Sequence, residues 1–454
     1  MARGDVIFYF GGAFLLGILA ASFSPKLILA AVPLFLILVQ KFNLKISTSV
    51  AGIFVLGIFY FYFLPNFRNQ SLEVPVGNAI KGIVLSEPIQ YPKYEKIEIR
   101  LMPPLSGKAN IVASPWGIYG PGDILVLTDG DISKENGVLK IVFPKISVAG
   151  NDAHGLGFAL QKFKDKITGI YRKSFPGDSA ALLSGIMLGA RNDFSEEMKT
   201  AMQGSGTTHL VALSGYNVAI LMLAISYLLG RFLRKNLTFW ITTATIILFV
   251  LMVGAGASIV RAALMGFLAL LAGQVGRMYN FRNAAILAAS IMVLYDPKVM
   301  RFDLGFELSF AALLGITYIS PAFQKIMGWT KENFSGVKEQ ALTTFSAETA
   351  VLPFIVFNFS YFSLFGIVAN VLILWLVPPL MFLGFIFALI SLISEPLGFA
   401  LSWLIQIILS YMLIVIRFFG RFSVPLTGNF WVFIFVYISI LGSIFYLAHA
   451  KKRL

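Results

Sequence analysis

Four ionisable side chains lie inside or beside long apolar runs of this 454-residue chain: His209, Arg261, Glu307 and Glu348, with Asp303 close by and Asn217, Asn358 and Asn370 as polar companions. Each charge at a bilayer centre costs about 2.5 to 3.5 kcal/mol on insertion scales, so each marks a functional candidate. An arginine in that setting needs a carboxylate or a wet path, and its rigid fork suits a phosphate. Asp303 and Glu307 are four apart and share one face of a helix already running there; both charged, they repel unless a cation or a retained proton intervenes. A structural reading competes, with Arg261 paired to one of the Glu residues to hold a bundle together and Asp303 resting at the interface. His209 opens the stretch His-Leu-Val-Ala-Leu-Ser214-Gly215-Tyr-Asn217. Ser214, five residues on, points about 140° away on an unbroken helix. That spacing disfavours a Ser/His nucleophilic pair, Gly215 could break the helix and restore one, and no third orienting carboxylate is evident. By local pattern alone, His209 reads as a buried histidine bonded to a neighbouring helix.

The elements that must position these residues are membrane helices. Hydrophobic residues make up 57% of the chain and charged ones 13%, against about 25% charged in soluble domains. At roughly 20 apolar residues per crossing there is room for about a dozen spans and one small water-exposed module. The absence of Cys excludes a disulfide framework, thiol catalysis, Fe–S clusters and Cys-based zinc sites, and three scattered His (His154, His209, His449) do not suggest a metal centre, so no cofactor is expected. The net charge of +14 suits cytoplasmic loops beside anionic lipid and equally an anionic substrate.

Residues 1–74 hold apolar runs at 6–23, 27–39 and 48–64. The first lacks the cleavage pattern of a removable signal peptide. Arg3, Lys41 and Lys45 against Lys26 place the N-terminus in the cytoplasm and residue 65 onward outside. Residues 75–150 read as about five short strands of a small barrel, with turns at Gly120-Pro-Gly-Asp123 and Asp129-Gly-Asp131. With 8 basic and 7 acidic residues this module is nearly neutral, so nucleic acid would be held by a local patch. Residues 151–177 form an amphipathic connector helix that either lies in the membrane interface or packs on the barrel. From 178 to 454 the chain is membrane again, with interrupted runs, notably 284–294 and 361–393 with Pro378-Pro379. Such breaks at membrane depth are tolerated only within protein or around a wet cavity, which favours a channel or transporter. Counting 361–393 as one crossing or two moves Lys451-Lys452-Arg453 from one side to the other; the positive-inside rule favours the cytoplasmic count.

The stretch Ala181-Leu-Leu-Ser-Gly-Ile-Met-Leu-Gly-Ala-Arg191, continued by Met202-Gln-Gly-Ser-Gly-Thr-Thr-His209-Leu-Val-Ala-Leu-Ser-Gly-Tyr-Asn-Val218, resembles the signature of ComEC-type competence proteins, inner-membrane channels for DNA uptake. Three further blocks agree in order: Ala257-Ser-Ile-Val-Arg261-Ala-Ala-Leu-Met265, Asp296-Pro297 into Leu304-Gly-Phe-Glu-Leu-Ser-Phe310, and Pro353 to Asn370. The small barrel is similar to the family's OB-like outer domain. The chain departs from the pattern at Asn217, where many relatives carry a second His, and at Glu307, where they carry Gln. It ends at Leu454 without the metallo-β-lactamase-like domain of longer members and holds no His-x-His-x-Asp-His string, so degradation of the other strand is expected of another chain.

The resulting expectation is a polytopic α-helical membrane protein of the bacterial inner membrane with a small all-β OB-like extracytoplasmic domain, not an enzyme, passing single-stranded DNA inward. Tyr91, Lys93, Tyr94 and Trp116 offer stacking and cationic chemistry at the entrance, and His209, Ser214, Asn217, Arg261, Glu307, Glu348 and Asn370 line the path. Membrane lipid surrounds it, and a separate DNA receptor, nuclease and ATP-driven motor are implied, since no phosphate-binding Gly-rich loop is present; a homo-oligomer is compatible. Acidic Glu307 and Glu348 fit a polyanion path badly, which supports the alternative of a proton-coupled secondary transporter of a small solute. A membrane-embedded hydrolase using His209 and Ser214 is a third reading.

Overall fold

The computed structural model describes residues 3–23, 44–68, 79–84, 89–90, 95–102, 108–114, 122–135, 138–151, 156–190, 194–211, 215–328, 336–359, 361–363, 365–425, 437–438 and 442. The apolar run expected at 27–39 lies outside these. In chain order, helices α1 (Arg3–Phe23) and α2 (Leu44–Arg68) precede strands β1 (Ile80–Val84), β2 (Ile89–Gln90), β3 (Glu95–Leu101), β4 (Lys108–Ala113), β5 (Asp123–Thr128), β6 (Asp131–Glu135), β7 (Val138–Val142) and β8 (Lys145–Asn151). There follow α3 (Leu156–Ser174), α4 (Gly177–Leu188), α5 (Glu196–Gly204), α6 (Gly215–Gly230), α7 (Lys235–Val253), α8 (Ala257–Val275), α9 (Phe281–Tyr295) and α10 (Val299–Phe302). Then come α11 (Leu304–Leu314), a π-helical turn (Gly315–Ile319), α12 (Ser320–Met327), α13 (Val337–Phe359), β9 (Tyr361–Ser363), α14 (Gly366–Leu374), α15 (Val377–Ile393), α16 (Glu395–Gly420) and β10 (Ser423–Pro425).

The fold is mostly helical, with a separate β-sheet domain in its N-terminal part. Among the described residues, six helical stretches are long and apolar enough to cross a membrane: those containing α6, α7, α8, α11 with α12, α13 and α16. The pair α14 and α15, bent by 47° at a short break, makes a seventh if counted as one span. The chain divides into two compact units. One comprises Met1–Lys166, Ala224–Gly256 and Ala263–Phe302; the other, Ile167–Leu223, Ala257–Ala262 and Asp303–Leu454.

In the first unit α1 and α2 pack backbone to backbone. A Cβ on Gly17 would run into the Phe54 carbonyl, and one on Gly57 into the Phe14 carbonyl, so glycine at both positions permits the small-residue contact that apolar helices use in lipid. Ala13, Val50 and Phe54 are buried in this seam. The Tyr60 hydroxyl donates to the Leu294 carbonyl of α9 at 2.6 Å.

Among the described residues the β module has eight strands rather than about five. The runs read from sequence became β1, β3, β4, β5 and β7. The two-residue β2 and the polar β6 (Asp-Ile-Ser-Lys-Glu) lack the apolar alternation that marks a half-buried strand, and β8 is largely exposed, its alternation limited to Ile146 and Val148. Pairing runs β6-β7-β4-β3-β1-β5-β8, with β4 and β7 parallel. Asp129 (φ 57°) and Gly130 separate β5 from β6, so the path that starts at β6 comes back round to the same stretch of chain at β5. The residues facing inward, among them Ile97, Ile99, Ile111, Leu125 and Ile141, form one core.

In the second unit, β9 and β10 pair antiparallel, with Tyr361 opposite Pro425, Phe362 opposite Val424 and Ser363 opposite Ser423. The pairing brings the start of α14 and the end of the 26-residue α16 to one end of the unit, the arrangement that a bent pair crossing once would require.

Candidate functional site

Arg261 sits in the first turns of α8. Its Nη1 donates to the Ser309 carbonyl of α11 at 2.5 Å, and its guanidinium carbon lies 5.5 Å from the centre of the Phe310 ring. The Ser309 hydroxyl reaches back to that of Ser258, 3.3 Å away. Gly215 at the start of α6 packs closely on this cluster: a Cβ there would sit 3.1 Å from Ala262 Cβ and 3.2 Å from Arg261 Nη2. The guanidinium has five donors. The Nε is buried and has no hydrogen-bond partner in the structure. No ion pair of Arg261 with Glu307 or Glu348 is seen among the described residues: one backbone carbonyl and one aromatic face meet Arg261, and its positive charge is not cancelled by them. Such a half-buried fork, with donors to spare, is suited to an anionic oxygen.

Asp303 is the N-cap of α11, its carboxylate accepting from Phe306 N–H at 2.9 Å, the capping role its residue type favours. Glu307 lies in the first turn of the same helix, where a carboxylate complements the helix dipole. Glu348 on α13 accepts from the Asn370 side-chain amide at 2.5 Å, and Asn370, 1% exposed, leaves its Oδ1 buried without a partner. Asn217 is also buried, and its amide donates to the Ile186 carbonyl at 3.0 Å, tying α6 to α4.

His209 lies on a short 3-10 turn (Thr208–Leu210). Its Nδ1 is 3.1 Å from the Gly206 carbonyl. A carbonyl only accepts, so Nδ1 carries the proton and Nε2 is the free acceptor. Gly206 has φ +69°, and a Cβ on it would press on Ser363 and Gly366, so this turn rests on the β9 end of the unit. The fully buried hydroxyls of Ser205 and Thr207 bond each other at 2.8 Å beneath it. Ser214 lies outside the described residues, as do Tyr91, Lys93, Tyr94 and Trp116.

The structure thus gathers Arg261 with Gly215, Ser258, Ser309 and Phe310, and separately Glu348 with Asn370. The motif reading missed the parts played by Ser309, Phe310 and Gly215, and by Asp178, whose carboxylate accepts from Arg417 at 2.7 Å and from the Ser195 N–H and hydroxyl at 3.3 Å each. It also missed Tyr171, whose hydroxyl donates to the Gly384 carbonyl at 3.1 Å; burial raises its phenol pKa and keeps it a donor. The available signal was the Gly-Ser pattern in the signature blocks, which marks backbone approach rather than chemistry. No group of three or more potential metal-ligating His, Asp or Glu residues occurs among the described residues.

Residues 186–451, more than half of the chain, match the family described as Competence protein. The chain belongs to the Competence protein family. It is 27% identical over 198 residues to ComE operon protein 3 of Bacillus subtilis (strain 168). The aligned stretch is 43% of this chain and 24% of that relative, so the chain spans about a quarter of the curated relative's length. No solved structure matches. The competence match contains every described member of the predicted path, from His209 to Asn370, whereas α1, α2 and the β module precede it.

Proposed function

We propose that this competence protein is a multi-pass channel of the bacterial inner membrane that passes single-stranded DNA into the cytoplasm during natural transformation. The observation that carries this reading is Arg261, a cation within a candidate span whose charge no described carboxylate cancels and whose fork has unused donors. A polyanion needs such a group along a polar path. Residues 1–74, 75–150, 151–177 and 178–454 serve as N-terminal helices, outer β module, connector and channel domain. The module's curled sheet, with one parallel contact, supports the OB-like reading.

Sidedness follows from charge. One crossing beyond the His209 turn, the loop joining α6 to α7 carries Arg231, Arg234 and Lys235; after two more, Arg277 and Arg282 flank the turn between α8 and α9. Lys235 Nζ donates to the Gly273 carbonyl at 2.7 Å, so the two loops lie at one end of their helices. No Asp or Glu occurs in residues 224–295. The positive-inside rule makes that end cytoplasmic, the β9–β10 end extracytoplasmic and the N-terminus cytoplasmic. A DNA receptor, a nuclease and an ATP-driven motor are the expected partners.

The Glu348–Asn370 contact favours a second reading, proton-coupled transport of a small solute, because a carboxylate hydrogen-bonded inside a span is a natural proton carrier. Uptake of labelled DNA into cells lacking the chain separates the two. Loss of cytoplasmic label, restored by wild type and not by Arg261→Ala at equal amounts of folded protein, supports the DNA channel. Unchanged uptake together with a lost proton-driven solute flux overturns it.

A further inference from the structure

We infer that the β9–β10 end of the channel domain carries a base-stacking platform for single-stranded DNA, formed by Phe365, Phe418 and Phe422 with Arg421 as its cation; this rests on the DNA-channel reading and names the residues that first hold the strand. Phe365 opens α14, and Phe418, Arg421 and Phe422 lie where α16 runs into β10. The rings form one cluster: centroids are 5.4 Å apart for Phe365 and Phe422, and 5.7 Å for Phe418 and Phe422. Phe419 backs them, 6.1 Å from Phe365 and 5.1 Å from Phe418. Yet the three outer rings remain 37%, 54% and 43% exposed. A ring cluster that covers itself on one side and stays open on the other presents π-faces to whatever docks there.

The charges nearby select what that is. Arg417 is held by Asp178, whereas no carboxylate among the described residues pairs with the exposed Arg421, one residue from Phe422. Uncovered aromatics beside an unpaired guanidinium are the pairing a single strand requires, with the phosphate at the cation and the bases on the rings. Every base has a π-face, so recognition here is independent of sequence.

The platform is also fixed in place. A Cβ on Gly204 would strike the Gly420 carbonyl, and one on Gly420 the Ala201 backbone, so α5 and the end of α16 touch main chain to main chain. Gly206 rests on Ser363 and Gly366 in the same way, which sets the His209 turn against the β9 side of this end. Rings carried on such a base lose little freedom when a strand stacks on them.

The test uses the full chain in lipid nanodiscs and a fluorescent oligo-dT, alongside a strand of equal length made of abasic sites. Phe418→Leu with Phe422→Leu keeps both positions apolar and removes the rings; size-exclusion profiles confirm folding. The expected result is roughly tenfold weaker oligo-dT binding in the double variant, abasic strand bound equally by both proteins, and a smaller salt dependence for Arg421→Gln. Equal oligo-dT affinity in wild type and double variant removes the platform while leaving the channel reading intact. No binding of either strand by wild type at low salt overturns both. In Phe422→Trp, quenching by oligo-dT supports the platform, and quenching by brominated acyl chains alone shows that lipid covers the rings and overturns it.

Discussion

Arg261 illustrates how a charge in a candidate span can be held without an acidic partner among the described residues. Its bond to the Ser309 carbonyl and its place on the Phe310 face offset part of its desolvation. Removal therefore strands no described carboxylate. Arg261→Ala should cost at most about 1.5 to 3 kcal/mol, the worth of a hydrogen bond to a charged group, rather than the roughly 3 to 5 kcal/mol of a broken buried ion pair. The expected outcome is near-normal folded protein in the membrane with DNA uptake per folded molecule down by tenfold or more; a collapse of folded protein instead means the residue is structural. Gly215→Val adds a branched side chain where even a Cβ stands 3.2 Å from Nη2. It should displace the guanidinium and lower uptake to a similar degree while leaving Arg261 in the chain. Among the described residues His209 bonds a local carbonyl alone, so His209→Ala should leave folded abundance unchanged, and immunoblots of membranes check that.

Among elements, the first turns of α4 and α5 are held together by a single carboxylate. Asp178 binds both Arg417 of α16 and Ser195, and Ser195 in turn caps α5 by accepting from Met198 N–H at 3.2 Å. Arg417 is half exposed, so the ion pair itself adds little, and the bonds to Ser195 carry most of the effect. Asp178→Ala should cost about 1 to 2 kcal/mol and open the chain near Phe194 to limited proteolysis, with α16 unaffected. Unaltered protease sensitivity would count against this role.

At the scale of the molecule, the proposed topology makes the basic α6–α7 and α8–α9 loops cytoplasmic and the His209 end of α6 extracytoplasmic. The absence of Cys makes this directly testable. Lys199→Cys, on the helix that touches the end of α16, should react with an impermeant maleimide in intact spheroplasts. Met278→Cys, in the basic loop and 97% exposed, should react only after permeabilisation. Labelling of both from outside would refute the crossing count.

Much of this was legible in the sequence because lipid imposes a strong rule: runs of about 20 apolar residues must become helices, since nothing else satisfies their backbone there. The same patterning located the β module and five of its strands, and the Gly- and Ser-rich blocks identified the family. Other features were not written in any local pattern. Whether Arg261 met Glu307, Glu348 or a carbonyl depended on which turns of α8 and α11 came face to face, and β6 and β8 are strands only because neighbours offer free backbone edges. Nor does any local pattern show that Tyr361–Ser363 pairs with Ser423–Pro425, about sixty residues apart in the chain. Hydropathy reports the solvent that each segment prefers; tertiary contacts between distant segments decide which charges are met, which glycines must remain small and on which side the chain emerges.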